Sequence, residues 1–288
     1  MLKRVQSAVI GIIIAILAIV LGGWWLTGSM LVVAAISAQE LFWLFEEKGY
    51  HPARYLGIAS CLAIYVLTQL TGARYHAPFL VAIFVLSFIF LIARSAPWNF
   101  MRIKLPKLFN LSLSSPARGK NEIASISDVA TTFLGILYTG WLPSHVLLIR
   151  QLPQGFSFIV LLFLVVFATD IGAFFFGKSL GRHPLIGPLS PKKTLEGALG
   201  GLLVSIPCAI AVGAVLGLSP WKCALIAPII SLVAQVSDLS ESLIKRDAGK
   251  KDSGEVIPGH GGMLDRVDSF ILSSAVTYYF ITLFWGLF

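Results

Sequence analysis

Apolar runs of bilayer-crossing length recur along almost the whole chain, and no other feature narrows its folds so far. A spanning helix rises about 1.5 Å per residue and needs roughly 20 apolar residues. About nine stretches approach that length, near 7–27, 29–45, 55–72, 77–93, 129–149, 156–176, 197–217, 223–244 and 269–287. The 288 residues are 57% hydrophobic and 12% charged, with mean hydropathy +0.85, too apolar for a water-soluble domain. Lipid offers backbone groups no hydrogen bonds, so each spanning segment must close its own. The expectation is an all-α, polytopic integral membrane protein with about nine transmembrane helices. Lys3 and Arg4 ahead of an apolar run imitate a secretory leader, but the run is too long and lacks a small-residue cleavage site, so it reads as a retained first span.

Loop charge gives the expected orientation. Nineteen of the basic residues fall in loops of one side, including six from Arg94 to Lys120, four from Lys178 to Lys193 and five from Lys245 to Arg266. The other side holds Arg74, Arg150 and Lys222. Basic residues stay in the cytoplasm, which puts the N-terminus inside and the C-terminus outside. The net charge of +8 is then a membrane-face signal and calls for no nucleic-acid partner. Cys61, Cys208 and Cys223 lie in apolar stretches without metal-ligand spacing and imply no disulfide framework. No internal repeat is evident.

Acidic residues divide the chain differently, for nine of the fourteen lie from Asp170 onward. The expected organisation is N-terminal helices and a cytoplasmic connector over 1–128, then a catalytic membrane region over 129–288. Asp170 sits near the end of a span, where a carboxylate needs a watery cavity or a partner. The following stretch, GKSLGRHPLIGPLSPKKTLEGALGG, is broken by glycine and proline, and Lys192 and Lys193 precede Thr194, a candidate helix cap. Such a loop suits an anion, although it lacks Walker spacing.

In SDLSESLIKRDAGKKD, Asp238, Glu241 and Lys245 recur at i, i+3 and i+7, on one helical face. Glu241 and Lys245 read as an ion pair at a solvated helix end. Asp238 is too deep for that. In IPGHGGMLDRVDS the glycines allow a tight turn around His260, and Asp265 and Asp268 open the last span. Carboxylates from two helix ends thus meet at one mouth. Hard oxygen ligands beside many cations suggest Mg²⁺ with a polyphosphate. His260 without a nearby second histidine or cysteine argues against zinc.

The run SLIKRDAGKKDSGEVIPGHGGMLDRVD, from Ser242 to Asp268, resembles the signature of the CDP-diacylglycerol synthase (phosphatidate cytidylyltransferase) family. The upstream DIGAFFFGKSLGRHPLIGPLSPKKTLEGALGG resembles a second conserved region of that family, with Phe174 where many members have tyrosine. Together these cover about a quarter of the 288-residue chain. The resemblance implies a membrane enzyme that turns CTP and phosphatidate into CDP-diacylglycerol and pyrophosphate. It implies Mg²⁺ with potassium as a candidate second ion, a homodimer, and a site at the cytoplasmic face of the cell membrane. By the same resemblance Asp238 and Asp265 are the metal carboxylates. Lys245, Arg246, Lys251, Arg266, Lys192 and Lys193 hold phosphates, with Asp252, His260 and Asp268 completing the catalytic set and Gly259, Gly261 and Gly262 shaping the loop. His260 orients a phosphate or carboxylate, because a phosphate monoester, with a second pKa of about 6, is largely dianionic and needs no strong base. Two rivals stand beside this reading: a CTP-dependent lipid kinase and a cation transporter using Asp170 and Asp238.

Overall fold

The computed structural model describes residues 2–95, 124–187, 189–254 and 261–286. Its helices are α1 (Leu2–Leu21), α2 (Gly23–Glu47), α3 (Arg54–Thr71), α4 (His76–Ser95), α5 (Ile126–Gly135), α6 (Leu142–Gln151), α7 (Gly155–Leu180), α8 (Leu195–Leu216), α9 (Pro220–Asp247) and α10 (Leu264–Phe284). A π-helical turn, Ile136–Trp141, joins α5 and α6 into one rod. All nine expected apolar runs are helical. Among the described residues, seven rods are long and apolar enough to cross a bilayer; α1 and α3 are the helices outside that set. The first run is cut short at Gly22, whose φ of 63° breaks it into α1 and α2. Among the described residues the strands form one small antiparallel hairpin, β1 (Pro184–Ile186) with β2 (Ser190–Thr194), within the glycine- and proline-rich loop. The expected division at 128/129 falls inside α5.

Side-chain contacts gather alternate loops at opposite ends of the bundle. At one end Lys48 pairs with Asp247 at 2.8 Å and Lys250 with Glu47 at 2.7 Å, while Arg246 Nε reaches the Leu189 carbonyl at 3.4 Å. At the other end Arg150 Nε donates to the Ile19 carbonyl at 3.3 Å and Lys222 Nζ to the Trp285 carbonyl at 2.7 Å. Both cations there close helix C-termini, where the dipole favours positive charge. Exposed Trp24, Trp25 and Trp221 stand at this same end, as aromatic residues do at a membrane interface.

Two packing devices hold the site's scaffold. Between α7 and α8 small residues bring the backbones together: a Cβ on Gly172 would lie 2.9 Å from the Gly200 carbonyl oxygen, and one on Gly197 2.8 Å from that of Ala173. Membrane helices rely on such close approach, since lipid gives apolar faces no reason to associate. Leu161, Leu162, Val165 and Val166 of α7 pack in one buried cluster with Ile226, Ala227 and Ile230 of α9. A second cluster joins Leu41 and Phe42 of α2 to Ile64 of α3, Tyr138 of the π turn and Leu264 and Ile271 of α10. Cys61, Cys208 and Cys223 are free thiols, as the sequence suggested.

Candidate active site

Three carboxylates converge where α9 and α10 meet. Asp238 and Glu241 share a face of α9, as their spacing requires, and Asp268 comes from α10. One oxygen of each can be chosen so that all lie within 4.8 Å of one another. Asp170 of α7 lies within electrostatic reach of Asp238 and Asp268. Glu241 is fully buried; its Oε2 meets Lys245 Nζ at 2.6 Å, while Oε1 has no hydrogen-bond partner. An unpartnered buried carboxylate oxygen is costly unless something cationic completes it. Lys193, on β2, pairs with Asp238 at 2.5 Å. Thr194 next to it caps α8 by accepting the Gly197 amide at 3.1 Å, as expected. The hairpin therefore delivers a cation to the trio and starts the next helix.

Neighbouring backbone is shaped to present these groups. The Ser237 hydroxyl donates to the Asp268 carbonyl and accepts the Leu272 amide at 3.2 Å, standing where α10 would otherwise make its own bond. A side chain inserted into the i→i−4 ladder opens the helix locally, here at the turn that carries Asp268. Asp268 Oδ1 accepts the Ser269 amide at 2.6 Å. The π turn brings in Tyr138, whose hydroxyl reaches the Ser237 carbonyl at 3.4 Å. Such turns recur at functional sites because one extra residue re-aims a side chain.

Asp265, expected as a second metal carboxylate beside Asp238, stands outside the trio in this structure. Its Oδ1 takes Lys245 Nζ at 2.5 Å, and its Oδ2 accepts the Ser253 and Gly262 amides at 3.0 and 2.9 Å and the Ser253 hydroxyl at 2.9 Å. Those donors tie it to the loop before α10. Glu241, read from sequence as a helix-end ion pair, does pair with Lys245 but is buried within the trio.

The remaining expected residues are spread around this centre. Lys192, Lys251, Asp252 and Arg266 are exposed. Arg246 is also exposed and ties the hairpin to the following loop through the Leu189 and Lys250 carbonyls. Gly261 has φ of 81°, a conformation glycine adopts without strain. Gly262 is buried, and a Cβ there would strike the Ser253 hydroxyl and come 2.6 Å from Glu40 Oε2. Gly259 and His260 lie outside the described residues. Sequence reasoning did not single out Ser237, Ser253 or Tyr138; Glu40 is legible in sequence as a carboxylate that interrupts the second apolar run and suggests a cavity-lining helix.

Comparison with known proteins bears on the same residues. The model of the family described as "Cytidylyltransferase family" matches residues 2–284. The chain belongs to the cytidylyltransferase family. A Synechocystis relative named phosphatidate cytidylyltransferase is 32% identical over 314 residues, covering 98% of this chain and 96% of the relative. One of the same name from Staphylococcus aureus is 36% identical over 222 residues, covering 74% and 84%. A Brucella suis relative, again of that name, is 41% identical over 152 residues, covering 52% and 56%. For a cytidylyltransferase the trio and its lysines are a fitting centre, since the reaction brings together several anionic phosphates that need compensating charge.

Proposed function

We propose that this cytidylyltransferase joins CTP to phosphatidate, giving CDP-diacylglycerol and pyrophosphate at the cytoplasmic face of the cell membrane. The observation that carries the reading is the convergence of Asp238, Glu241 and Asp268 beside Lys193 and Lys245, in a chain matching the family over residues 2–284. In the reaction a phosphate oxygen of phosphatidate forms a bond to the α-phosphorus of CTP. The bond from that phosphorus to the oxygen bridging to the β-phosphate breaks, and pyrophosphate leaves with the electron pair. The attacking oxygen is already ionised near neutral pH, the second pKa being about 6.

Mg²⁺ fits the trio. The donors are hard carboxylate oxygens, close enough to share one ion, and Glu241 Oε1 lacks any hydrogen bond. Asp238, Glu241 and Asp268 would hold it, and bound there it would supply positive charge to crowded phosphates. Potassium is the proposed second ion. The chain's own residues do the rest. Lys193 is a cation on a short strand, placed to trade its carboxylate for a phosphate oxygen. Lys245 is fixed between Glu241 and Asp265 and supplies oriented positive charge that costs no reorganisation during the reaction. The exposed Lys192, Arg246, Lys251 and Arg266 form the outer basic rim that attracts CTP and the lipid head. The Gly262, Met263 and Leu264 amides serve Asp265 and Glu40 instead of a phosphate. Orientation with the basic end in the cytoplasm, where CTP is, and assembly as a homodimer complete the reading.

The test is transfer from CTP labelled at either the α- or the γ-phosphate to lipid in purified protein. Label from the α position in CDP-diacylglycerol is expected. Label from the γ position in lipid would instead make the protein a lipid kinase.

A further inference from the structure

Glu40 lies in α2, far in sequence from every residue of the trio, and is only 5% exposed. Among the described residues, its hydrogen bonds come from Ser253 and from the backbone that opens α10. Oε1 accepts the Met263 amide at 2.9 Å, and Oε2 accepts the Leu264 amide at 2.8 Å and the Ser253 hydroxyl at 3.1 Å. Among the described residues no cation pairs with it. The backbone is built around this carboxylate: a Cβ on Gly254 would come 2.8 Å from Oε1, and one on Gly262 2.6 Å from Oε2. A buried charge inside an apolar helix is expensive, and a hydrophobic side chain of similar volume would often be neutral or stabilising. Its hydrogen bonds thus hold one particular loop.

That loop is linked to the reactive centre's cation on α9. Ser253, gripped by Glu40, also binds Asp265, which fixes Lys245, whose ammonium reaches Glu241 of the trio. Asp268 follows within the first turns of the helix that Glu40 caps. We infer that Glu40 is a positioning residue for cytidylyl transfer: it locks Ser253 and the Met263–Leu264 backbone at the start of α10, and so sets where Lys245 and Asp268 stand. The inference rests on the function proposed above and extends it to a helix of the N-terminal region.

The experiment compares wild type with Glu40→Gln and with Glu40→Asp, which keeps the charge but draws it back by one methylene. Readouts are steady-state kinetics with CTP and phosphatidate, and amide hydrogen exchange of the substrate-free protein. In both variants kcat should fall about tenfold or more, the cost usual for partners that orient catalytic ligands, while KM for CTP changes little. The Met263 and Leu264 amides should exchange faster, with α7 around Leu161–Val166 unchanged. Should Glu40→Gln fail to fold, Glu40→Asp decides alone. Wild-type kcat with unchanged exchange would overturn the inference, as would faster exchange spread evenly over the protein, which marks a merely structural role. If the wild type made no CDP-diacylglycerol, the functional reading would fail, and the exchange pattern would still decide whether Glu40 holds the start of α10.

Discussion

Glu241→Gln separates catalysis from stability in a way the structure sets quantitatively. Breaking a buried ion pair typically costs about 3–5 kcal/mol because the remaining partner is left uncompensated. Here Lys245 is not abandoned, for it keeps Asp265 at 2.5 Å. Glutamine fills nearly the same volume and removes a buried negative charge that crowds Asp238 and Asp268. The two effects oppose each other, so the net loss of stability is expected to stay below about 1 kcal/mol. Activity should behave differently. Residues that merely orient metal ligands cost about 10–100-fold when changed. Loss of a ligand oxygen should reach at least the upper figure, about 100-fold or about 2.7 kcal/mol of transition-state stabilisation. The assay is CDP-diacylglycerol formation by detergent-purified protein across a magnesium titration, beside thermal unfolding of the same samples. Near wild-type activity at ordinary magnesium, with the unfolding midpoint unchanged, would refute the proposed role of Glu241 as an ion ligand.

Asp238→Asn and Asp268→Asn should each abolish most activity, and the double variant should be little worse than either, since groups that act as a unit are not additive; comparison of the three rates checks this. Lys245→Met leaves both Glu241 and Asp265 without their cation, so it should lower unfolding free energy by about 3–5 kcal/mol as well as activity, read by denaturation in detergent. In a background lacking Cys61, Cys208 and Cys223, a cysteine at Arg74 should react with an impermeant thiol reagent added to intact cells, and one at Arg182 should not. The reverse labelling pattern would invert the proposed orientation.

The helices were legible because each is a long local signal: an apolar run either reaches bilayer length or does not. The face shared by Asp238, Glu241 and Lys245 was legible for the same reason, as spacing on a helix fixes direction. Burial was not. Whether a polar helix end such as Glu241 meets water or another helix depends on α10, and nothing in the local pattern records that neighbour. Asp265 and Asp268 illustrate the point, three residues apart on one helix yet serving different partners. The hairpin escaped because glycine and proline announce irregularity without saying which residues pair across it. The π turn lies in ILYTGW, an apolar stretch whose composition does not distinguish it from ordinary helix. Glu40 announced itself as a charge within a span, but its partners are more than 200 residues away and could be found only in the folded chain.

The Ser237 hydroxyl, spliced into the hydrogen-bond ladder of α10, makes a mechanical joint between two helices. Because one α10 bond runs through a side chain of α9, neither helix can slide or roll past the other there without breaking backbone pairing inside an apolar medium. Asp238, Glu241 and Asp268 are therefore fastened into one block, to which the lysine-bearing hairpin is tied by the Lys193–Asp238 ion pair and by Arg246 Nε on the Leu189 carbonyl.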